Sequence, residues 1–210
     1  MEVRSTEQYV NHLLPLHKEN RRSAMRWMIA SDIHGSSKYC EQMLVRYKEE
    51  QADRLILLGD LLYHGPRNDL PEGYAPKEVI ELLNDHACEL LCVRGNCEAE
   101  VDQMVLRFPV MAEYALLPLG QSMIYMTHGH HAGELNPPPL KPGDYLLCGH
   151  THIPKCTEHD CFTYLNPGSI SLPKEGSPRS YMILDDRNFI WKCLDDGKAY
   201  MSRETAGGET

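Results

Sequence analysis

Residues 26–35, RWMIASDIHG, decide the fold, because a predicted buried strand runs directly into a polar turn that contains glycine. The apolar run over 26–31 predicts that strand. Residues 37–51 carry apolar side chains at four-residue spacing, which predicts a helix. A second apolar run over 54–58, RLILL, predicts another buried strand. This strand–helix–strand order is typical of an α/β fold.

Predicted strands and helices continue to alternate up to about residue 107, and predicted strands dominate after that. Pro76 begins a predicted second helix, residues 89–93 predict a third strand, and 98–107 predict a short helix before Pro109. Further strand-like runs lie at 112–119, 122–127, 144–148, 162–165, 180–184 and 188–194. Helices early and strands late predict an α/β layered fold whose central sheet is mixed in direction.

The chain of 210 residues divides into three expected parts. Residues 1–24 are expected to be an N-terminal extension, with a short helix over 7–18. Residues 25–195 are expected to form the folded domain, and 196–210 a tail that is frayed over 201–210. Residues 1–24 lack the apolar segment of a secretory signal. No apolar stretch approaches the roughly 18 residues that a membrane-spanning helix needs.

Composition and charge limit the class of function. Apolar residues make up 42% of the chain and charged residues 24%, which is ordinary for a globular protein. The net charge of −9 argues against extended nucleic-acid binding, which depends on Lys and Arg contacts to phosphates. Two bound divalent ions would still attract a small anion. The eight cysteines form no C-x-x-C pair, which argues against zinc-ribbon and thioredoxin-like motifs. Without a secretory signal, they are expected to be reduced thiols in a cytoplasmic protein.

Metal-ligand residue types follow five of the predicted strands, each beside a glycine. Any one of these fragments is weak evidence, since D-x-H occurs by chance and Gly-Asp is usually a turn. His150 and His152 form a stronger pair, because alternate residues of an extended chain point the same way. The seven oxygen and nitrogen donors are too many for one ion but suit two ions that share a bridging carboxylate. They are Asp32, His34, Asp60, Asn96, His128, His150 and His152.

In this order the motifs D-x-H, G-D, G-N-x-[DE], G-H and G-H-x-H resemble the calcineurin-like metallophosphoesterase superfamily. They are most similar to its branch of small YfcE-like phosphodiesterases. The resemblance covers about residues 25–195. The fragments that carry it are ASDIHGS (30–36), LGDLLYHGPRNDLPEGYAP (58–76), VRGNCEAEVDQM (93–104), THGH (127–130), CGHTHIP (148–154) and NPGSISLPK (166–174).

The resemblance implies a four-layer α/β sandwich of mixed β-sheets flanked by helices. It also implies a metal-dependent phosphodiesterase that hydrolyses small phosphodiesters with a hydroxide activated by two metal ions. Mn²⁺ is the expected metal, and Fe, Zn²⁺, Co²⁺ and Ni²⁺ are alternatives. The implied ligands of the first ion are Asp32, His34, Asp60 and His152. Asp60 would bridge to the second ion, which Asn96, His128 and His150 would complete.

Two departures from the family pattern bear on catalysis. The chain has Cys97 where many members have the histidine of G-N-H-[DE], which protonates the leaving group. Cys97 is therefore a weak acid or a space-filling residue, and His64 is an alternative proton donor. The chain also has Tyr63-His64-Gly65 where phosphatase relatives have D-R-G. The arginine of that motif, which contacts the phosphate, is therefore absent, and its absence favours monoanionic diesters over monoesters as substrates. Arg67 is either a replacement contact to the phosphate or a solvated loop residue.

Two other functions remain open. The retromer complex contains a subunit that resembles this fold and acts as a protein-binding module, so a non-catalytic scaffold is the main alternative. A scaffold could lose ligands without harm, whereas all seven are present here. An exonuclease would need a basic track that this acidic chain lacks. The expected partners are a small phosphodiester and, in a homo-oligomer, further copies of the chain, but neither extended nucleic acid nor a membrane.

Overall fold

Two mixed β-sheets pack face to face in the structure, a computed structural model that describes residues 25–186 and 188–205. A short 3-10 turn, Ala87–Glu89, precedes the third strand. Along the chain the other elements are β1 (Arg26–Ala30), α1 (Ser37–Glu49), β2 (Arg54–Leu57), α2 (Pro76–Asn84), β3 (Leu90–Cys92), α3 (Glu100–Val105), β4 (Ala115–Leu119), β5 (Ser122–Met126), β6 (Asp144–Leu147), β7 (Lys155–Glu158), β8 (Phe162–Asn166), β9 (Ser180–Asp185), β10 (Asn188–Cys193) and β11 (Ala199–Glu204).

Each sheet contains a parallel core with antiparallel strands beside it. The six-stranded sheet has the order β11-β10-β9-β1-β2-β3, in which β1, β2 and β3 are parallel. The five-stranded sheet has the order β4-β5-β6-β8-β7, in which β5, β6 and β8 are parallel. Since ligands of open α/β sheets bind beyond the carboxyl ends of parallel strands, the loops after these six strands are where a site is expected.

Successive side chains of each strand point to opposite faces of its sheet, and this alternation divides the core into layers. In β1, Met28 and Ala30 face the helices, whereas Ile29 faces the other sheet. The apolar face of α1, which includes Met43, packs on the six-stranded sheet. Ser36 caps this helix by accepting a hydrogen bond from the Tyr39 amide at 3.3 Å. The layer between the sheets is formed by Ile29, Ile56, Ile124, Met126, Tyr145, Leu147, Leu165, Phe189 and Trp191, among others.

The predicted α/β fold of mixed sheets flanked by helices is confirmed. Within the described ranges the helical cover lies on the six-stranded sheet. Leu140 packs on the outer face of the five-stranded sheet, against side chains that include Leu146 and Tyr164. The loop that follows β5 therefore supplies part of the outermost layer on that side.

The C-terminal part of the prediction is wrong in one respect. Residues Ala199–Glu204 are not frayed but form β11, which pairs antiparallel with β10 and continues the sheet beyond residue 195. The sequence also gave no sign of β7. The predicted extension, 1–24, and residues 206–210 lie outside the described residues. None of the helices described is long and apolar enough to cross a bilayer.

Candidate metal centre

The predicted ligands lie in the loops that follow the parallel strands, and many have an unusual backbone. Non-glycine residues rarely adopt a positive φ, and such strain tends to collect at functional sites. The tight turns after β1, β2 and β6 bring their side chains to one end of the two sheets. Five of the seven predicted ligands have a positive φ: Asp32 (58°), His34 (50°), Asp60 (56°), His150 (67°) and His152 (62°).

A first cluster joins the loops after β1 and β6. Oδ1 of Asp32 lies 3.6 Å from Nε2 of His34 and 3.3 Å from Nε2 of His152. The two histidine Nε2 atoms are 3.1 Å apart. Oδ2 of Asp60 lies 3.6 Å from Nε2 of His34. All four side chains are buried.

The tautomers in this cluster follow from the hydrogen bonds of the other ring nitrogens. Nδ1 of His34 donates to the Tyr63 carbonyl at 2.8 Å, and Nδ1 of His152 donates to the Leu172 carbonyl at 2.6 Å. A carbonyl can only accept, so in the neutral rings both Nε2 atoms carry lone pairs that face each other. Oδ1 of Asp32, which faces the same point, is buried without a hydrogen-bond partner. This donor set fits a cation.

A second cluster lies on the other side of Asp60. Nε2 of His128 is 3.4 Å from Oδ2 of Asp60, 3.1 Å from Oδ1 of Asn96 and 3.3 Å from Nδ1 of His150. Nδ1 of His128 donates to the Leu58 carbonyl at 2.6 Å, which again turns Nε2 towards the other predicted ligands. Oδ2 of Asp60 therefore lies between histidines of the two clusters.

The electrostatics of the two clusters favour positive charge. Burial alone would lower the pKa of His128, but the hydrogen bond to Asp60 and the charges of Asp32 and Asp60 raise it to about 9. Burial opposes ionisation of Asp32, yet its contacts with His152 and His34 hold the pKa of that carboxyl well below its usual range. The carboxylates thus remain ionised and create a negative potential where the histidine rings converge, which attracts a cation.

Glu98 supports the site without belonging to either cluster. Its buried carboxylate accepts hydrogen bonds from the amides of Asp60 (2.9 Å), Leu61 (2.7 Å) and Gly95 (2.5 Å). Burial and the charge of Asp60 raise the pKa of Glu98, while the backbone bonds oppose that rise. Glu98 therefore ties the loop after β2 to the loop after β3. The acidic position of G-N-x-[DE] was the sequence signal for this residue, but the sequence did not assign it a role.

A cleft of about 470 Å³ opens over the two clusters. Cationic side chains of Arg67 and Lys174 lie on its rim, and both residues are exposed. Lys174 was not predicted from sequence, although it ends the quoted fragment NPGSISLPK. The lining residues are His34, Asp60, Gly65, Pro66, Arg67, Asn68, Asn96, Cys97, His150, Thr151, His152 and Lys174.

The family model described as the calcineurin-like phosphoesterase superfamily domain matches residues 25–188. The chain belongs to this superfamily. It is 48% identical over 172 residues to the phosphodiesterase YfcE of Escherichia coli strain K12, an alignment that covers 82% of this chain and 94% of that protein. It is 28% identical over 177 residues to the probable metallophosphoesterase YsnB of Bacillus subtilis, covering 78% and 86% of the two chains.

Solved structures agree with this assignment. The structure of YfcE, described as a phosphoesterase from E. coli, superposes with a TM-score of 0.83 at 44% identity and covers 86% of this chain and 100% of its own. Vacuolar protein sorting 29 from Cryptosporidium parvum matches with a TM-score of 0.56 at 20% identity, covering 86% and 97% of the two chains. That second likeness shows a shared fold only.

Cys97 lies at the site, as its position in the phosphoesterase pattern predicts. Its amide donates to Oδ1 of Asp60 at 2.9 Å, and its thiol donates to Oδ2 of Asp60 at 3.3 Å. Nδ2 of Asn96 donates to the sulfur at 3.2 Å. Burial and the neighbouring Asp60 raise the pKa of the thiol, which favours its protonated form. Cys97 thus contacts two predicted ligands and borders the cleft.

The two predicted substrate-binding residues have different positions. Arg67 lies on the rim of the cleft. His64 is not among the residues that line it. The ring of His64 packs against Tyr63 and Tyr74, with centroid distances of 4.6 and 5.5 Å, and its carbonyl accepts a hydrogen bond from Asn68 at 2.9 Å. This placement favours a structural role for His64 over contact with substrate.

Proposed function

We propose that this superfamily member is a phosphodiesterase that acts on small phosphodiesters and holds two divalent ions. Asp32, His34, Asp60 and His152 are the ligands of the first ion. Asp60 is shared with the second ion, which Asn96, His128 and His150 also bind. The observation that carries the proposal is the convergence of Nε2 of His34 and Nε2 of His152, which lie 3.1 Å apart, with the unpartnered Oδ1 of Asp32.

The chemistry that two divalent ions supply in such a site is neutralisation of phosphoryl charge and acidification of water. The chain's own residues prepare the site for it. The carbonyls of Tyr63, Leu172 and Leu58 orient three of the histidine rings through Nδ1. Mn²⁺ is the proposed native ion, since oxygen and imidazole donors predominate and bind the borderline divalent metals.

The cleft suits an anionic ester of modest charge. Arg67 and Lys174 bring two exposed cations to its rim, where they attract a phosphodiester monoanion over short distances. Cys97 replaces the expected histidine, so a protein proton donor of matched pKa is missing at that position and leaving groups of low basicity are favoured. YfcE, at 48% identity, is named a phosphodiesterase, which supports the same assignment.

We also propose a cytoplasmic location and association into a homo-oligomer. All eight cysteines are free thiols in the structure, as expected in a reducing compartment. Val101, Met104 and Val105 are exposed apolar side chains on α3, which supports contact with a second copy. The scaffold function has no comparable support, because the full set of ligands is retained and converges at one place.

The test is hydrolysis of bis-p-nitrophenyl phosphate beside p-nitrophenyl phosphate, with Mn²⁺ and with EDTA. We expect Mn²⁺-dependent cleavage of the diester, slower cleavage of the monoester, and no cleavage of either in EDTA. Asp60→Asn should abolish turnover, whereas Asp69→Asn, a change at an exposed residue on the neighbouring loop, should not. Absence of turnover with every divalent ion, in protein shown to contain metal, would overturn the proposal in favour of a scaffold.

A further inference from the structure

We propose that Glu113, His130 and His131 form a third cation site, beside the second cluster, that takes an ion of the Zn²⁺ class. None of these three residues was predicted from sequence to have a role. Their potential ligand atoms all lie within 4.8 Å of one another. Two imidazoles and one carboxylate are a ligand set that Zn²⁺, Co²⁺ and Ni²⁺ accept, with positions left for water.

The sheet register brings the three residues together across the end of a hairpin. β4 pairs antiparallel with β5 such that Ala115 lies opposite Met126. Glu113, just before β4, therefore runs beside the segment just after β5 that contains His130 and His131. The backbone is held on the β4 side because the Ala112 carbonyl accepts a hydrogen bond from the Arg94 amide at 2.8 Å.

The second strand of this hairpin leads into a turn that is also tied down. Nδ2 of Asn136 donates to the His131 carbonyl at 3.3 Å. Gly133 and Asn136 form a backbone bridge, with hydrogen bonds of 3.2 and 3.1 Å. His131 is thereby presented on a short closed loop, next to His130.

The geometry of the side chains fits one ion after small rotations. Ligand atoms about 2.1 Å from a tetrahedral ion are about 3.4 Å apart, so a separation of up to 4.8 Å has to contract by at most about 1.4 Å. Glu113 and His131 are exposed and His130 is half-buried, which leaves two of the three side chains free to turn. The rings of His130 and His131 already lie 4.0 Å apart between centroids.

A second observation at His130 points to a missing partner. Its Nδ1 atom is buried and makes no hydrogen bond. Its neighbours are further imidazoles: the ring centroids of His128 and His150 lie 5.4 and 6.2 Å away. A ring nitrogen buried among imidazoles, with one carboxylate close by, gains an electrostatic partner when a cation binds.

One existing contact competes for the carboxylate. Nη1 of Arg94 lies 3.1 Å from Oε1 of Glu113. Both side chains are substantially exposed, so this ion pair contributes little and engages a single carboxylate oxygen. Binding of a divalent ion can displace it at small cost.

The experiment counts ions in the full-length chain after equilibrium dialysis against Zn²⁺, using inductively coupled plasma mass spectrometry. We expect His131→Leu and Glu113→Gln each to bind one ion fewer per chain than wild type, with affinity at that position lowered at least tenfold. Glu89→Gln is the matched control, since Glu89 makes a surface pair with His86 (3.4 Å) and should keep the wild-type count. Circular dichroism verifies that the variants fold.

Equal ion counts in wild type and in both folded variants would overturn the proposal. So would a loss of one ion in the Glu89→Gln control, because surface histidines in general would then account for the binding. The test relies on a difference of one ion and not on turnover. It therefore gives its answer whether or not the two larger clusters support phosphodiester hydrolysis.

Discussion

Replacement of Glu98 by glutamine tests how far the backbone around Asp60 depends on one buried carboxylate. Oε2 accepts from the amides of Asp60 and Gly95, and Oε1 accepts from the amide of Leu61. A glutamine carbonyl can take the two bonds at the Oε2 position. Its NH₂ group then faces the Leu61 amide, so that two donors oppose each other in a buried place.

The expected loss of stability follows from these three bonds. One buried donor left unpaired costs about 1–3 kcal/mol, and the two remaining bonds each weaken by about 1 kcal/mol when the acceptor loses its charge. Removing the repulsion between Glu98 and Asp60, which raises the pKa of Glu98, offsets part of that cost. We therefore expect the free energy of unfolding to fall by about 2 kcal/mol, which is a decrease in Tm of about 4–8 °C.

The assay is urea and thermal unfolding of the apoprotein in EDTA, which separates backbone support from stabilisation by metal. Glu100→Gln is the matched control, since Glu100 is exposed and lies two residues further on. Divalent-ion titration of the same variants should show affinity at the Asp60 position reduced at least tenfold for Glu98→Gln. Apoprotein stability within 0.5 kcal/mol of wild type, roughly the scale of ordinary surface substitutions, would refute the reasoning.

Three further outcomes are expected. Cys97→His should raise turnover on diesters with poor leaving groups, because it restores a proton donor beside Asp60. An unchanged rate across a series of leaving groups, with metal content intact, would contradict this expectation. Asn166→Ala should lower the free energy of unfolding by about 1–3 kcal/mol, because it leaves the Gly149 carbonyl, which the buried amide contacts at 2.7 Å, without that donor. A loss below about 0.5 kcal/mol in urea unfolding would argue otherwise. Gly149→Ala should abolish metal loading, because the new Cβ would lie 1.9 Å from the Ser31 hydroxyl, beside Asp32. A normal metal content, measured by mass spectrometry, would disprove this expectation.

The interior of the fold was predictable because apolar residues recur in its strands and helix with a clear pattern. The buried strands β1 and β2 and the helix α1 are long apolar or four-residue-spaced runs, and the structure contains all three close to their predicted bounds. β7 and β11 were missed because they are polar edge strands, KCTE and AYMSRE, without a clear period-two pattern. Pairing with β8 and β10 makes them strands, and pairing between distant segments is not encoded locally.

The candidate site, like the fold, was predictable from sequence only in part. The residue types after each strand could be recognised singly, yet only the fold places His34 and His152 with their Nε2 atoms 3.1 Å apart, although 118 positions separate them. The roles of the flanking residues did not follow from sequence. His64 and Arg67 are neighbours in the chain, but Arg67 lines the cleft and His64 packs against tyrosines.

The sequence by itself determined which donors this protein can offer and in what order, because carboxylate, amide and imidazole chemistry belongs to the side chain wherever it lies. Tertiary structure decided which donors meet, which ring nitrogen each histidine presents and which carboxylate lies between the clusters. It also brought Glu113 beside His130 and His131, through the register of β4 with β5. The physical reason is that distances between side chains depend on backbone pairing across the whole chain, which no local run of residues specifies.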